Sequence, residues 1–507
     1  MSTAVKLTGK CQRDYSQGTR ATRERLLVTL LLWLCLPTWA GASVVTVTVD
    51  ARVPRWTISP YLLGGHFVYA YEKDSIYADG RLAEWMGRAG VRVIRYPGGA
   101  VVKYWHWEDP TGVFSGDRWN PEYDRRQDRP GSEFMDLDEY LDFCRHSGAE
   151  PMVGVNIHSG YAYDRVLDSV AEAVRCVRHC RDVRNMPVRW WYLGNEEPIP
   201  LEKYADLINR FAAAMRAVEP NIRIIVNLNK VNATSLKRLL ALAGDHIDMV
   251  EFHGKWKGFK VEGSFDMWAD EVPLVIGDRG YTYSEHIRTL RWAAEEAGYP
   301  NLLLANNEWG LGGKMPGFDK YHRSLVMVDY LLDLFKGNYD MACLWNSHWP
   351  NRPDMHLIDS TNGYSINPIG RAFELLATSL GETMLTVATD NRKVYGFACR
   401  NAEKTRTQIF LLNKDPDRQV LCLAFEGFAV NPDQAPESRV LCKPGELKHG
   451  EIRWEGAGRK MYAVLPPFSF ARLTVSGTVV GNHRRTSARK PDVPIIYADD
   501  GSWGDSP

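Results

Sequence analysis

From about residue 60 to residue 378 the chain alternates short apolar runs with amphipathic ones, and this alternation restricts the fold more than any single motif. The apolar runs are YLLGGHF (61–67), VRVIRY (91–96), EPMVGVNI (150–157), RWWYLGN (189–195), IRIIVN (222–227), IDMVEFH (247–253), NLLLANNE (301–308) and YDMACLWN (339–346). Between them lie segments with apolar positions three and four residues apart, such as 81–90, 136–148, 201–218, 284–298 and 319–337. Strands alternating with helices imply parallel pairing, and eight such units predict a (β/α)8 barrel over 51–378. After about residue 380 the period changes to two, in KVYGFACR, TQIFLLNK, VLCLAFEG and MYAVLPPFSFARLTVSG, which predicts an antiparallel β-sandwich over 379–478. The run SVVTVTVD (43–50) is expected to pair with that sandwich, and 479–507, which has no periodicity, to be a disordered tail.

A length of 507 residues suits a large barrel plus a smaller companion domain. The 62 basic and 62 acidic residues cancel, so nothing in the charge favours nucleic acid as a partner. The 17 Trp and 23 Tyr suit a protein that stacks the flat apolar faces of sugars, although most aromatic residues in any chain fill cores. Arg20, Arg23 and Arg25, the apolar run 26–37 and the small residues Ala40 and Ala42 form a secretory signal over 1–42. Cleavage is expected after Ala42, giving a secreted or periplasmic protein with no stable membrane insertion once the signal is removed.

Removing that segment removes Cys11 and Cys35 and leaves Cys144, Cys176, Cys180, Cys343, Cys399, Cys422 and Cys442. Export permits disulfides, and Cys422 with Cys442 is one plausible pair. CVRHC (176–180) lacks a second ligand pair and reads as a helix face, not a zinc site. H-E-x-x-H spacing, a phosphate-cradling P-loop and a G-x-S-x-G elbow are absent, so no metal or other cofactor is expected.

Polar residues collect where the predicted strands end, which in a barrel is the face that carries chemistry. Strand two ends in Arg95-Tyr96-Pro97-Gly98-Gly99, strand three in Asn156 and His158, and strand four in Asn195-Glu196. Strand six ends in Glu251 and His253, strand seven in Asn306-Asn307-Glu308, and strand eight in Trp345, Asn346 and His348. Carboxylates from strands four and seven face each other across a barrel mouth, and such a pair performs glycoside hydrolysis. On this reading Glu308 is the nucleophile and Glu196 the acid/base, its pKa lifted by burial and a charged neighbour. Asn195 donates to the sugar, Arg95 orients the nucleophile and keeps it ionised, and His253 contacts the nucleophile or the sugar. Asn156 belongs to the same rim. Trp345 is a stacking candidate, and Trp105, Trp107, Trp256 and Trp309 are weaker ones. Glu197 reads as structural, because successive strand residues point to opposite faces. Glu251 and Glu374 lie within apolar patterns and are read as local salt-bridge partners.

The ordered set IRYPGGAVVKYWHWEDPTG (94–112), 133–160, WWYLGNE (190–196) and IDMVEFHG (247–254), with NEWG at 307–310, resembles clan A of the glycoside hydrolases and, within it, family 51, the α-L-arabinofuranosidases. The resemblance implies a retaining hydrolase with a carbohydrate substrate, whose acid/base Glu follows an Asn on strand four and whose nucleophile ends strand seven. The stretch after the strand-six His, HGKWKG, departs from the family pattern, and so do two glycone-contact positions. Tyr69 stands where a Glu contacts the arabinofuranose, and Ala100 stands where an Asn follows Pro-Gly-Gly. Related barrels cleave β-xylosides and algal galactans, which keeps an endo-acting glycanase in view. A carbohydrate-binding protein without turnover would lack one glutamate of the pair, and both are present.

Overall fold

The computed structural model describes residues 44–228, 232–256, 264–270, 282–311, 318–349, 356–361, 364–455 and 460–480. The segment expected to be a signal, with Ala42, the residues beyond 480 and the Trp256 side chain lie outside them.

Eight parallel strands form the barrel: Gly65–His66, Val93–Tyr96, Glu150–Val155, Trp190–Leu193, Arg223–Asn227, Met249–Phe252, Leu303–Leu311 and Met341–Leu344. The first and eighth meet through Gly64, which bridges Cys343 and exchanges backbone hydrogen bonds of 2.8 and 3.0 Å with Ala342 and Leu344. A Cβ on Gly64 would lie 2.5 Å from Cys343 Sγ, so the seam closes only around glycine. The first strand is shorter than its apolar run predicts. Leu62 and Leu63 are fully buried, but in a turn, so the run reflects burial and not extension.

WWYL (190–193) shows how both faces of a barrel strand are used. Trp190 and Tyr192 point into the barrel with Met152, Ile225, Met249 and Met341, whereas Trp191 and Leu193 join the layer beneath the helices. The helices begin where the sequence offers caps. Asp136 with Glu139, Asn232 with Ser235, and Thr282 with Glu285 each make a reciprocal pair at the start of 137–147, 233–243 and 283–296.

The second domain is a mostly antiparallel β-structure with its own core, including Leu385, Ile409, Leu411, Leu421, Leu465 and Leu473. Its last strand runs to Val479. Val44–Asp50 enters it between Thr383–Thr389, to which it is antiparallel, and Gln419–Glu426, to which it is parallel. The alternation VVTVTV buries Val45, Val47 and Val49 on one face. All seven described cysteines are free thiols, which corrects the suggested Cys422–Cys442 pair. Those two residues sit on strands that are not neighbours in the sheet, an order that spacing along the chain does not reveal.

Helix Lys320–Lys336 is apolar nearly all round because it packs between barrel and sandwich. It also carries a buried polar joint. Asp329 accepts from Tyr395 Oη at 2.6 Å and Trp268 Nε1 at 3.0 Å, and pairs with the fully buried Lys414 ammonium at 3.4 Å. Asp329→Ala removes the carboxylate paired with that buried ammonium and is expected to cost about 3–5 kcal/mol in urea unfolding, whereas Asp329→Leu with Lys414→Met recovers most of the loss.

Candidate active site

The fourth strand ends at Gly194, whose φ of +70° starts a sharp bend, and a Cβ there would lie 2.6 Å from Glu197 Oε1. The bend separates two adjacent carboxylates. Glu197 turns under the strand, where it accepts from the Asn195 N–H at 3.1 Å and meets His158 Nδ1 at 2.9 Å. Glu196 takes a left-handed backbone (φ +45°), and its side chain, 43% exposed, reaches into the barrel mouth. Asn227 Oδ1 accepts from the Glu196 N–H at 3.1 Å, and Lys103 Nζ donates to its carbonyl at 3.0 Å. Burial therefore does not set the chemistry of Glu196, contrary to the sequence-based expectation.

Glu308 is aimed by a different device. The seventh and eighth strands pair Asn306 with Ala342 and Trp309 with Leu344, so the seventh carries one extra residue across Asn307–Glu308. Such a bulge lets neighbouring side chains face the same way. Asn307 Nδ2 donates to Glu251 at 2.6 Å, while Glu308, only 4% exposed, meets Arg95 Nη1 at 2.8 Å.

Arg95 is the hub of the interior. Besides Glu308 it donates to Asn195 Oδ1 at 2.8 Å and Glu251 at 3.1 Å, and its guanidinium lies 4.1 Å from the centre of the Tyr192 ring. Burial disfavours its charge, but Glu251, Tyr192 and Glu308 more than offset that and hold its pKa above the ordinary value. Burial would also raise the Glu251 carboxyl, yet the Arg95 charge, helped by the bond from Asn307, brings it below the usual carboxylate range.

His253 completes the centre. Its Nδ1 lies 2.8 Å from Glu196 Oε1 and 3.6 Å from Glu308 Oε2, and its Nε2 lies 3.0 Å from Asn227 Nδ2 and 3.6 Å from Glu251. Glu196, His253 and Glu308 each place a ligand-type atom within 4.8 Å of the others. At 2.8 Å, however, the His253–Glu196 contact is a hydrogen bond; tetrahedral zinc with bonds of about 2.0–2.1 Å would spread two ligand atoms to about 3.3 Å. Two carboxylates beside one imidazole can instead exchange protons with a bound substrate.

The structure thus brings Glu196, Glu308, Asn195, Arg95 and His253 together. Asn156 is used elsewhere, since its amide closes a turn with Ser159 through bonds of 2.8 and 3.0 Å. Tyr69 is fully buried against Phe134, and burial pushes its hydroxyl up to about 12, so it packs where the sequence suggested a sugar contact. Trp345 is half-buried at the mouth, edge-on to His66 at 4.5 Å and over Gly99. Trp309 is fully buried and Trp105 nearly so, while Trp107 packs beside His179. Glu374 does make a local pair, with Arg371 at 2.7 Å. Glu251 belongs to the centre itself, and Asn227 drew no attention in the sequence; their common signal is a polar residue at the end of an apolar strand.

With that geometry in view, the chain falls in a recognisable class by likeness: a (β/α)8 barrel with a β-sandwich, of the clan A glycoside hydrolase type. Residues 86–270 match the family model described as the α-L-arabinofuranosidase 1 domain. α-L-Arabinofuranosidase C of Emericella nidulans is 30% identical over 165 residues, which is 27% of this chain and 29% of that one. The intracellular exo-α-(1→5)-L-arabinofuranosidase of Bifidobacterium longum is 25% identical over 339 residues, 54% of this chain and 56% of that one. The chain thus spans from under a third to just over half the length of these relatives. The α-L-arabinofuranosidase of Thermotoga maritima, solved with arabinose, shares the fold at TM-score 0.66 and 17% identity, covering 85% of this chain and 100% of that one. A Paenibacillus polymyxa xyloglucanase of family 44 shares it at TM-score 0.60 and 14% identity, covering 86% and 100%. The chain is therefore similar in fold and barrel sequence to the family 51 arabinofuranosidases.

The loop after the second strand is clamped behind this centre. His106 lies between Glu172 at 3.0 Å and Asp117 at 3.1 Å, and Asp117 accepts from Ser159 Oγ at 2.7 Å, which ties the loop to the Asn156 turn. Burial works against the imidazolium, but the two carboxylates raise its pKa to about 9. The folded chain therefore binds this proton more tightly than the unfolded one. Its stabilisation, about 3 kcal/mol at most, is complete below about pH 6.5 and is lost as pH rises through about 9. Urea titrations across that range should show the decline, and His106→Phe should flatten it.

Proposed function

We propose that this protein is a retaining glycoside hydrolase acting on α-L-arabinofuranosides, with Glu308 as nucleophile and Glu196 as acid/base. The observation that carries this reading is the spacing of the two carboxylates. Glu196 and Glu308 bring oxygens within 4.8 Å of each other around His253. Retaining enzymes hold their carboxyl groups about 5–5.5 Å apart, whereas inverting ones leave about 6.5–9.5 Å for a water. Glu308, ion-paired to Arg95 and screened from solvent, is suited to attack the anomeric carbon. Glu196, at the open side, is suited to protonate the departing oxygen and then to take a proton from the water that releases the sugar. The Oδ1 of Asn195 is bonded to Arg95, which turns its Nδ2 group into the donor available to substrate. Export, read from the leader at 1–42, is part of the same proposal and fits a substrate in plant or algal wall polysaccharide.

The arabinofuranosidase names among the relatives favour that sugar. One observation favours a longer ligand: Phe114, Tyr71, Trp349 and Trp345 form a chain of half-buried rings with centroids 5.1–5.7 Å apart. Such a run suits successive sugars of a polymer, as in an endo-acting glycanase.

Assays of the mature protein on aryl arabinofuranosides, arabinan, xylan and algal galactans separate these readings. Glu308→Gln is expected to abolish turnover, and Glu196→Gln to lower it by about 10²–10⁴-fold on substrates with poor leaving groups. An activated fluorosugar should label Glu308. Label on another residue, or activity surviving both substitutions, would overturn the assignment.

A further inference from the structure

The side chain of Asn227 is bonded at both ends, and each end constrains the other. The Glu196 backbone N–H can only donate, so the amide oxygen must face it, at 3.1 Å. That orientation puts the NH2 group toward His253, 3.0 Å from Nε2. An amide NH2 also only donates, so Nε2 has to offer a lone pair. The remaining ring proton is then on Nδ1, which donates to Glu196 Oε1 at 2.8 Å.

The charges around the ring act in the opposite direction. Glu251 lies 3.6 Å from Nε2 and Glu308 3.6 Å from Nδ1, with Glu196 closer still. Although burial opposes it, these carboxylates pull the imidazole pKa up to about 9. Arg95 lies beyond Glu251 and Glu308 and offsets part of their charge, and Lys103 is directed to the Glu196 carbonyl. The electric field invites a second proton, and Glu251 at 3.6 Å is a distant acceptor for it, but toward Asn227, the nearer partner, two N–H groups would oppose each other at 3.0 Å. In a nearly dry site, loss of that fixed hydrogen bond with two donors held against each other is disfavoured, and we take the geometry as deciding.

The protonation of this ring bears on catalysis. A histidinium against Glu196 would hold that carboxyl ionised, with no proton to give the leaving oxygen. A neutral ring donates one hydrogen bond to Oε1 and leaves the carboxyl group able to carry the acid proton. We propose that Asn227 is a positioning residue of the acid/base: it fixes His253 as the neutral Nδ1–H tautomer and so keeps Glu196 able to hold the proton it delivers. This rests on the role given to Glu196 under the proposed function, but the tautomer itself does not.

The test is nitrogen NMR of the full mature chain labelled with 15N-histidine at neutral pH, with the His253 signals assigned by their loss in His253→Asn. The expected result is one protonated ring nitrogen and one with a free lone pair. Asn227→Asp replaces the NH2 group by an acceptor, so both nitrogens should become protonated. In the same variant the basic limb of kcat/KM should move at least one pH unit to the acid side. Turnover should fall about 100-fold on substrates with poor leaving groups while dinitrophenyl glycosides are spared. Two protonated nitrogens in the unsubstituted protein would overturn the proposal, even if Asn227→Asp fails to fold. A folded Asn227→Asp with unchanged His253 signals and an unmoved pH limb would overturn it too. A chain that hydrolyses no glycoside would remove the proposed function, while the tautomer would still be decided by the spectrum.

Discussion

A guanidinium with no access to water is the constraint around which the centre is arranged. Arg95 is fully buried at the top of the barrel, where an unpaired cation is untenable, and its partners come from three other strands. Glu308 and Glu251 supply two negative charges to its one, and both carboxylates are as dry as the arginine. The excess negative charge lies beside His253, which is why the ring experiences so strong a pull toward a second proton. Replacing Arg95 would therefore remove the counter-charge of two carboxylates at once, and the penalty would exceed that of any one contact.

The two glutamates of the candidate site differ in how the backbone presents them, and the difference matches the roles proposed for them. A bulge turns Glu308 inward, where it is ion-paired to Arg95 and almost wholly buried. Gly194 and the left-handed Glu196 turn the other carboxylate outward, where it can exchange protons with solvent. Holding a non-glycine residue left-handed carries a conformational cost, and the bonds from Asn227 and Lys103 to the Glu196 backbone help to meet it.

The barrel was legible because its signal is periodic and repeats eight times; the candidate pair of carboxylates was legible because strand ends that ought to be apolar stop in Asn-Glu. What stayed hidden depended on which way a side chain turns. Glu251 read as a local salt-bridge partner in an apolar strand, and it is ion-paired, but alternation carries that pair to the barrel interior, with Arg95. Asn227 ended a strand in the same manner and went unnoticed, since an asparagine carries no charge to demand explanation. Asn156 stood at a strand end as well, but a local turn with Ser159 absorbed it. The Cys422–Cys442 suggestion failed for a related reason, because proximity in sequence does not give the order of strands in a sheet.

The same distinction bears on substrate choice. Tyr69 departs from the family pattern, and a carboxylate does appear three residues later, at Glu72. That group is not free to replace the missing sugar contact. It accepts from the Val68 N–H at 3.0 Å, from the Tyr77 hydroxyl and from His348 Nδ1 at 3.1 Å, and it is fully buried. Its task is to pin the loop after the first strand to the loop after the eighth. Those two loops carry Tyr71, Trp345 and Trp349, so the carboxylate that cannot touch a sugar holds in place the rings that can. Recognition on that side of the mouth would then depend more on apolar sugar faces than on a charged hydrogen bond, a mode that tolerates different sugars and gains strength from several bound in a row.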